Sequence, residues 1–268
     1  MITMKIDPTA VISKNAKIAG DAEIGPYALI GDNAVIASGT KIGAFCVIEG
    51  NTSIGKNCQF FTGAVIGSRP QDMKYKGEKS FLEIGDNNII REYCTFNPGT
   101  GDGGRTRVGS GNLFMAYSHV AHDCSVGNNC VIANNGTLAG HVTIEDKAVV
   151  GGLTAIHQFV RVGTLSIIGG CSKVVQDIPP YSTCDGHPAR VYGLNLIGLR
   201  RNGVSKDAIK ELNLAFKIIF NSGFTLRKAA DKLKAANLSS KEALYLADFI
   251  KGSERGVSRS CRIEKQAD

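Results

Sequence analysis

The sequence contains no run of 18 apolar residues and no signal-like apolar stretch. It therefore argues against a transmembrane helix or secretory leader and predicts a soluble, cytoplasmic protein. Its eight cysteines include no Cys-x-x-Cys pair, so neither a structural zinc site nor a dithiol redox motif is supported. No recognised nucleic-acid motif and no basic stripe interleaved with aromatics accompanies the net charge of +7, which disfavours nucleic acid as a partner. That charge is unevenly placed. Residues 1–195 carry 16 Lys and Arg against 16 Asp and Glu, whereas residues 196–268 carry 15 against 8. A basic face confined to the C-terminal part suits an acidic carrier protein or a phosphate-rich ligand, and equally suits a merely solubilising surface.

What is present is a period of six. Ile6, Ile12, Ile18, Ile24, Ile30, Ile36, Ile42, Ile48, Ile54, Phe60 and Ile66 are evenly spaced. The pattern returns at Ile84, Ile90 and Phe96 and then runs from Val108 to Val174. Two places before the bulky residue stands a small one, and five of the cysteines (Cys46, Cys58, Cys94, Cys124, Cys130) occupy such places. A six-residue period suits neither a helix nor an alternating strand, but it fits a triangular coil in which each hexapeptide makes one flat face and one turn. Three faces close an 18-residue turn, and stacked turns bury what no single hexapeptide can. The fold expected over residues 1–190 is a mainly β, left-handed parallel β-helix of about nine coils.

Two stretches, 68–82 and 97–107, are rich in turn formers and charge and offer no inward residue at the expected place. They read as protruding loops, either functional or merely tolerated. Beyond Val174 the register ends, and residues 191–268 are expected to form an α-helical domain. Ser205 is a candidate cap for a helix with the apolar stripe Ile209, Leu212, Phe216, Ile219 and Phe220, stopping at Gly223. Thr225 is a candidate cap for a second helix carrying Leu226, Ala229, Ala230 and Leu233. Ser239 and Glu242 have capping-box spacing for a third, carrying Ala243, Leu246, Phe249 and Ile250.

Of five histidines, four fall between residues 119 and 157: His119, His122, His141 and His157. None takes an inward position, so none is needed to fill the coil. With 18 residues per coil, His122 stacks on Gly140 beside His141, and His157 stacks on Ala139, which lines imidazoles along three consecutive coils. Imidazole titrates near neutrality and is the usual side chain for removing a hydroxyl proton. Asp123 follows His122 and can fix its tautomer, and Gly140, lacking a side chain, leaves its backbone N–H open to an oxyanion. Zinc is the competing use of such a cluster, weakly opposed because no carboxylate or Cys obviously completes the ligand set. No metal and no cofactor is expected.

The segments PQDMKYKGE (70–78), HVAHDCSVGNNCVIANNGTLAGHV (119–142), GGLTAIHQF (151–159) and GLNLIGLRRNG (193–203) make the chain resemble the UDP-N-acetylglucosamine O-acyltransferases, hexapeptide-repeat enzymes that begin lipid A synthesis. The resemblance covers essentially the whole length. It implies transfer of a 3-hydroxyacyl group from acyl carrier protein to the sugar's 3-hydroxyl, with His122 as general base, Asp123 as its orienting partner and the Gly140 amide as oxyanion donor. It further implies that Gln71, Asp72 and Lys74 help hold sugar and acyl donor. His119, His141, His157 and Gln158 would contact the sugar nucleotide, and Asn195 and Arg201 its uridine and diphosphate end. Gly170 would leave room for a long acyl chain. The family is homotrimeric, with active sites in the clefts between subunits, and acyl carrier protein is expected to lean on the helical domain.

Two residues depart from the family pattern. Many members carry His at the place of Asn97 and an acidic residue at the place of Ile197, so altered ligand contacts are implied at the first, and a lost acceptor for a ribose hydroxyl at the second. Rival readings are the N-acyltransferase of the same pathway, an acetyl-CoA-dependent acetyltransferase and a non-enzymatic β-helical scaffold. The first normally carries an additional N-terminal uridine-binding domain, whereas here the repeat begins by Ile6. The histidine cluster disfavours the last.

Overall fold

The computed structural model describes residues 5–221, 224 and 226–258. Its larger part is a left-handed parallel β-helix with three faces. Most strands are two residues long, and each pairs with the strand one coil away: Lys5 with Glu23, Val11 with Leu29, Lys17 with Val35. Among the described residues face one carries eleven strands, face two nine and face three eight. The six-residue ladder fills the interior, from Ile24 at 2% exposure to Ile168 at 1%. Each such side chain is worth about 1.5–3 kcal/mol of burial. In the lowest described coils Ile6, Ile12 and Ile18 are only partly covered, because no described coil stacks on their N-terminal side. Cys46, Cys58, Cys94, Cys124 and Cys130 are buried at the turns and remain free thiols. Burial pushes Cys124 up to about 12 and Cys130 up to about 11.

A coil of this tightness forces one left-handed residue into most of its turns. Asp123, His141 and Phe159 have φ of 59°, 62° and 64°, and Asn57, Asn87 and Asn129 take the same conformation on another edge. The strain belongs to the winding as such, since the edge that carries the histidines shares it with the edge that carries the asparagines.

The register reports where chain has been inserted. Ile54 pairs with Ile84 and Ile66 with Phe96, 30 residues apart rather than 18, while Ile84 with Val108 and Phe96 with Val120 are 24 apart. Twelve and six residues have therefore been added. Both insertions are shorter than the sequence predicts, because four-residue strands Phe81–Ile84 and Arg105–Val108 reclaim their ends. Contrary to the expectation of no inward residue, Leu82 and Thr106 are both fully buried. Thr106 is polar, and its place inside is permitted because its hydroxyl accepts the Asp123 N–H at 2.8 Å.

Past Val174 the chain adds a strand, Ser182–Gly186, to face one and folds back as Ala189–Leu194. Among the described residues four α-helices follow: α1 (Leu196–Arg201), α2 (Lys206–Phe216), α3 (Leu226–Ala235) and α4 (Lys241–Lys251). Ser205 caps α2, accepting the Ala208 N–H, and the chain then widens into a π-turn over Lys217–Asn221. The Gly223 stop and the Thr225 cap lie outside the described residues. The cap of α4 is Ser240 rather than Ser239. Ser239 is taken by Glu211 of α2, which accepts from its N–H and hydroxyl and from the Ser240 N–H. The helical layer meets face three, where the Arg161 guanidinium lies 4.4 Å over the Phe249 ring and Asp177 accepts from Arg161 N and Ser253 Oγ.

Candidate active site

The edge between faces two and three gathers most of the predicted chemistry. Both insertions interrupt this same edge, between Val65–Ile66 and Phe81–Ile84 and between Thr95–Phe96 and Arg105–Val108. The turns that follow along it hold His122 and Asp123, then Gly140 and His141, then His157 to Phe159. Random tolerated insertions have no reason to share an edge with the imidazoles.

His122 Nδ1 lies 2.9 Å from Asp123 Oδ2, both side chains being about 15% exposed. Sequence neighbours on an extended chain point to opposite faces, and the two meet here because Asp123 takes the left-handed turn. His141 Nε2 stands 3.8 Å from the same carboxylate oxygen. Its ring lies edge-on to His122 at 5.2 Å and is stacked on Phe159 at 4.6 Å. Asp123 is also held by Thr100, whose N–H and hydroxyl both donate to its carboxylate. Burial alone would raise the Asp123 pKa, but the Thr100 and His122 hydrogen bonds bring it below the usual carboxylate value. The carboxylate is charged at neutral pH.

Gly140 is buried, and what covers it is the His122 ring: a Cβ there would lie 2.5 Å from Cε1 and 2.6 Å from Nε2. Its missing side chain thus makes room for the imidazole. Among the described residues its N–H meets no acceptor, while its carbonyl accepts from Phe159 N.

His119 lies one strand away on face two, with Thr95 Oγ1 2.7 Å from its Nδ1. Burial, the largest influence, keeps its pKa below the ordinary imidazole value, outweighing hydrogen bonding to the Thr95 backbone. His157 and Gln158 are exposed at the next turn, with His157 Nδ1 3.1 Å from the Gln158 carbonyl. On the first insertion Gln71 and Lys74 are exposed, and Asp72 closes a turn by accepting the Lys74 N–H. Asn97, 3% exposed, donates to the carbonyls of Ser68 and Arg69, and among the described residues its Oδ1 has no partner. The residue standing where many members carry His is therefore turned toward the base of the first insertion.

The remaining predicted residues lie on other edges. Gly170 is exposed beside the turn between faces one and two, where a Cβ would meet only the Gly152 carbonyl within 3.2 Å. Asn195 caps α1, accepting the Gly198 N–H, and donates to the Leu165 carbonyl at the turn between faces three and one. Arg201 ends α1 exposed, and Ile197 is 65% exposed. Within one chain, then, the imidazoles, Gly170 and Arg201 do not converge.

Among the described residues one set of metal-capable side chains stands out, His122, Asp123 and His141, with ligand atoms within 4.8 Å of one another. The carboxylate missing from the sequence argument is thus Asp123, here engaged by Thr100 and His122. Thr95, Thr100 and Phe159 escaped sequence reasoning. Phe159 was recoverable as the residue 18 beyond His141, whereas Thr100 sits in an insertion where counting by 18 fails.

Comparison with known proteins gives concordant matches. A UDP N-acetylglucosamine O-acyltransferase domain 2 model matches residues 177–258, and a bacterial transferase hexapeptide model of six repeats matches residues 105–140. Over 256 residues the chain is 51% identical to the acyl-[acyl-carrier-protein]–UDP-N-acetylglucosamine O-acyltransferase of Myxococcus xanthus, which covers 95% of this chain and 99% of that protein. The solved structure of LpxA from Acinetobacter baumannii superposes with a TM-score of 0.92 at 46% identity, covering 95% of this chain and all of that one. The UDP-N-acetylglucosamine O-acyltransferase of Moraxella catarrhalis gives 0.91 at 43%, covering 96% and 100%.

Proposed function

This chain belongs to the UDP-N-acetylglucosamine O-acyltransferase family, and from that membership we propose that His122 removes the proton of the sugar's 3-hydroxyl as its oxygen attacks an acyl thioester. The reaction moves an acyl group from acyl carrier protein to UDP-N-acetylglucosamine, the first step of lipid A biosynthesis. Asp123 accepts the His122 Nδ1–H, which fixes the tautomer that leaves Nε2 as the base. The new C–O bond turns the thioester carbonyl into an oxyanion, which the Gly140 N–H receives. Collapse breaks the C–S bond, and the carrier thiolate takes back the proton held by the imidazolium. His122 can be a base only while its ring is free of metal, so the reaction is metal-free in this reading and needs no cofactor.

His119, His141, His157 and Gln158 line the acceptor side, Gln71, Asp72 and Lys74 close over it from the first insertion, and Gly170 leaves the acyl groove open for a long 3-hydroxyacyl chain. Asn195 and Arg201 serve the nucleotide end from a neighbouring subunit of a homotrimer, and the basic helical domain receives the acidic carrier. Among the described residues no helix is long and apolar enough to cross a membrane. In this reading a carrier-protein donor and a sugar-nucleotide acceptor support a cytoplasmic location.

The observation that carries this reading is the His122–Asp123 pair at 2.9 Å beside Gly140, on the edge that both insertions extend. General-base removal costs on the order of 10²- to 10⁴-fold. His122→Ala should keep the circular dichroism of the β-helix while turnover falls by that factor in a thioester-release assay, and near-normal turnover would end the assignment.

A further inference from the structure

The second insertion reaches the reaction centre through one side chain. Thr100 Oγ1 donates to Asp123 Oδ2 at 2.6 Å, and its N–H lies 3.1 Å from both carboxylate oxygens. Oδ2 is also the atom that meets His122 Nδ1 and stands 3.8 Å from His141 Nε2. The carboxylate has two imidazoles within reach, and only one of the two contacts serves a base.

The loop is shaped to present this residue. Gly99 N donates to the Phe81 carbonyl, Gly103 N to that of Lys79 and Gly104 N to that of Gly101. A Cβ on Gly104 would overlap the Thr100 carbonyl, and one on Gly99 would overlap Arg105 N and the Gly104 backbone. Only glycine fits at either place. Gly101 and Gly103, with φ of 70° and 76°, complete a tight ring that turns Thr100 inward.

We propose that Thr100 is a positioning residue, and that the second insertion exists to deliver it: its two donors lock the Asp123 carboxylate so that Oδ2 faces His122 rather than His141. The inference rests on the reading of His122 as the base. Thr100 touches neither reacting atom. It acts through Asp123, whose anion keeps the Nδ1 proton in place and stabilises the imidazolium formed in the transition state.

The test is steady-state kinetics across pH on the full chain, with UDP-N-acetylglucosamine and a 3-hydroxyacyl carrier-protein thioester. The unmodified protein is compared with Thr100→Val, Thr100→Ser and His122→Ala. Loss of one hydrogen bond to a charged group predicts a fall in kcat of about 10- to 100-fold for Thr100→Val, with KM for the sugar nucleotide unchanged. The acid limb of the profile should move to lower pH, because an imidazole with a less well aligned anion holds its proton less tightly. His119 and His141 are the other titratable groups facing the pair, and both are intact in these variants. Thr100→Ser should restore rate and limb together. If the Val variant does not fold, Thr100→Ala removes the hydroxyl without adding bulk. A limb and kcat that stay put in the Val or Ala variant while His122→Ala is inactive overturn the proposal, as does a uniform loss that Ser does not rescue. An active His122→Ala would instead overturn the reading beneath it.

Discussion

Gly140 shows how much one absent methyl group can decide. Alanine there would put a Cβ 2.5–2.6 Å from the His122 ring, well inside contact distance, yet the obstructing atoms belong to a rotatable side chain on a surface turn. The ring moves and the coil does not. A displacement near 1 Å at a reacting group costs on the order of 10²-fold. Gly140→Ala should therefore lower kcat by about that much with little change in thermal midpoint, and wild-type turnover would show that the ring's seat is immaterial. The glycine's place against His122 was legible in the sequence because both obey the 18-residue register. Counting along the chain gives access to its N–H as the reason for the gap, and the side chains add a second reason that counting could not supply, a seat for the imidazole. Asn97 has a similar history. It can be counted to the correct edge, but its contacts with Ser68 and Arg69 depend on the path of an insertion that no periodicity encodes.

At the scale of elements, the winding was legible because every hexapeptide repeats one local problem, burial of a bulky residue behind a tight turn. The hairpin Ser182–Leu194 and α1 were not, since each departs from the repeat and is fixed by contacts made far along the chain, such as Asn195 with Leu165. The start of α4 was misplaced by one residue for a related reason. Ser239 has the capping-box spacing, but Glu211 of α2 reaches across and engages both Ser239 and Ser240, leaving the Ser240 hydroxyl to accept the Ala243 N–H. Backbone donation from Ser240, followed by the Ser239 hydroxyl, lowers the Glu211 pKa from 4.5 to about 2. A carboxylate depressed on folding adds stability that is complete above its unfolded value and disappears as pH falls through its folded one. The helical signal at 222 nm, followed in denaturant, should then separate wild type from Glu211→Gln most widely above pH 4.5. The separation should close on approach to pH 2, whereas a gap independent of pH would mean the carboxylate charge plays no part in joining α2 to α4.

For the whole molecule, the question is how residues on three edges serve one reaction. A face of six residues, at about 3.3 Å each, is up to about 20 Å wide, so neighbouring edges of one prism cannot close on a common reacting atom. The imidazoles occupy the edge between faces two and three, Gly170 stands at the edge between one and two, and α1 with Arg201 is anchored through Leu165 at the edge between three and one. A closed threefold ring sets an edge of each prism against a different edge of the next, and that arrangement would assemble in a cleft what a single chain keeps apart. It predicts complementation. His122→Ala and Arg201→Ala, each strongly impaired alone, should regain activity when co-expressed, because some mixed clefts take His122 from one subunit and Arg201 from the other. With random assembly at equal amounts and each residue drawn from a different subunit, roughly one cleft in four is fully native. Turnover of the mixture should accordingly approach a quarter of wild type. A mixture no more active than its two components would mean that both residues act within a single chain, and the edges would then need another route to the same substrate.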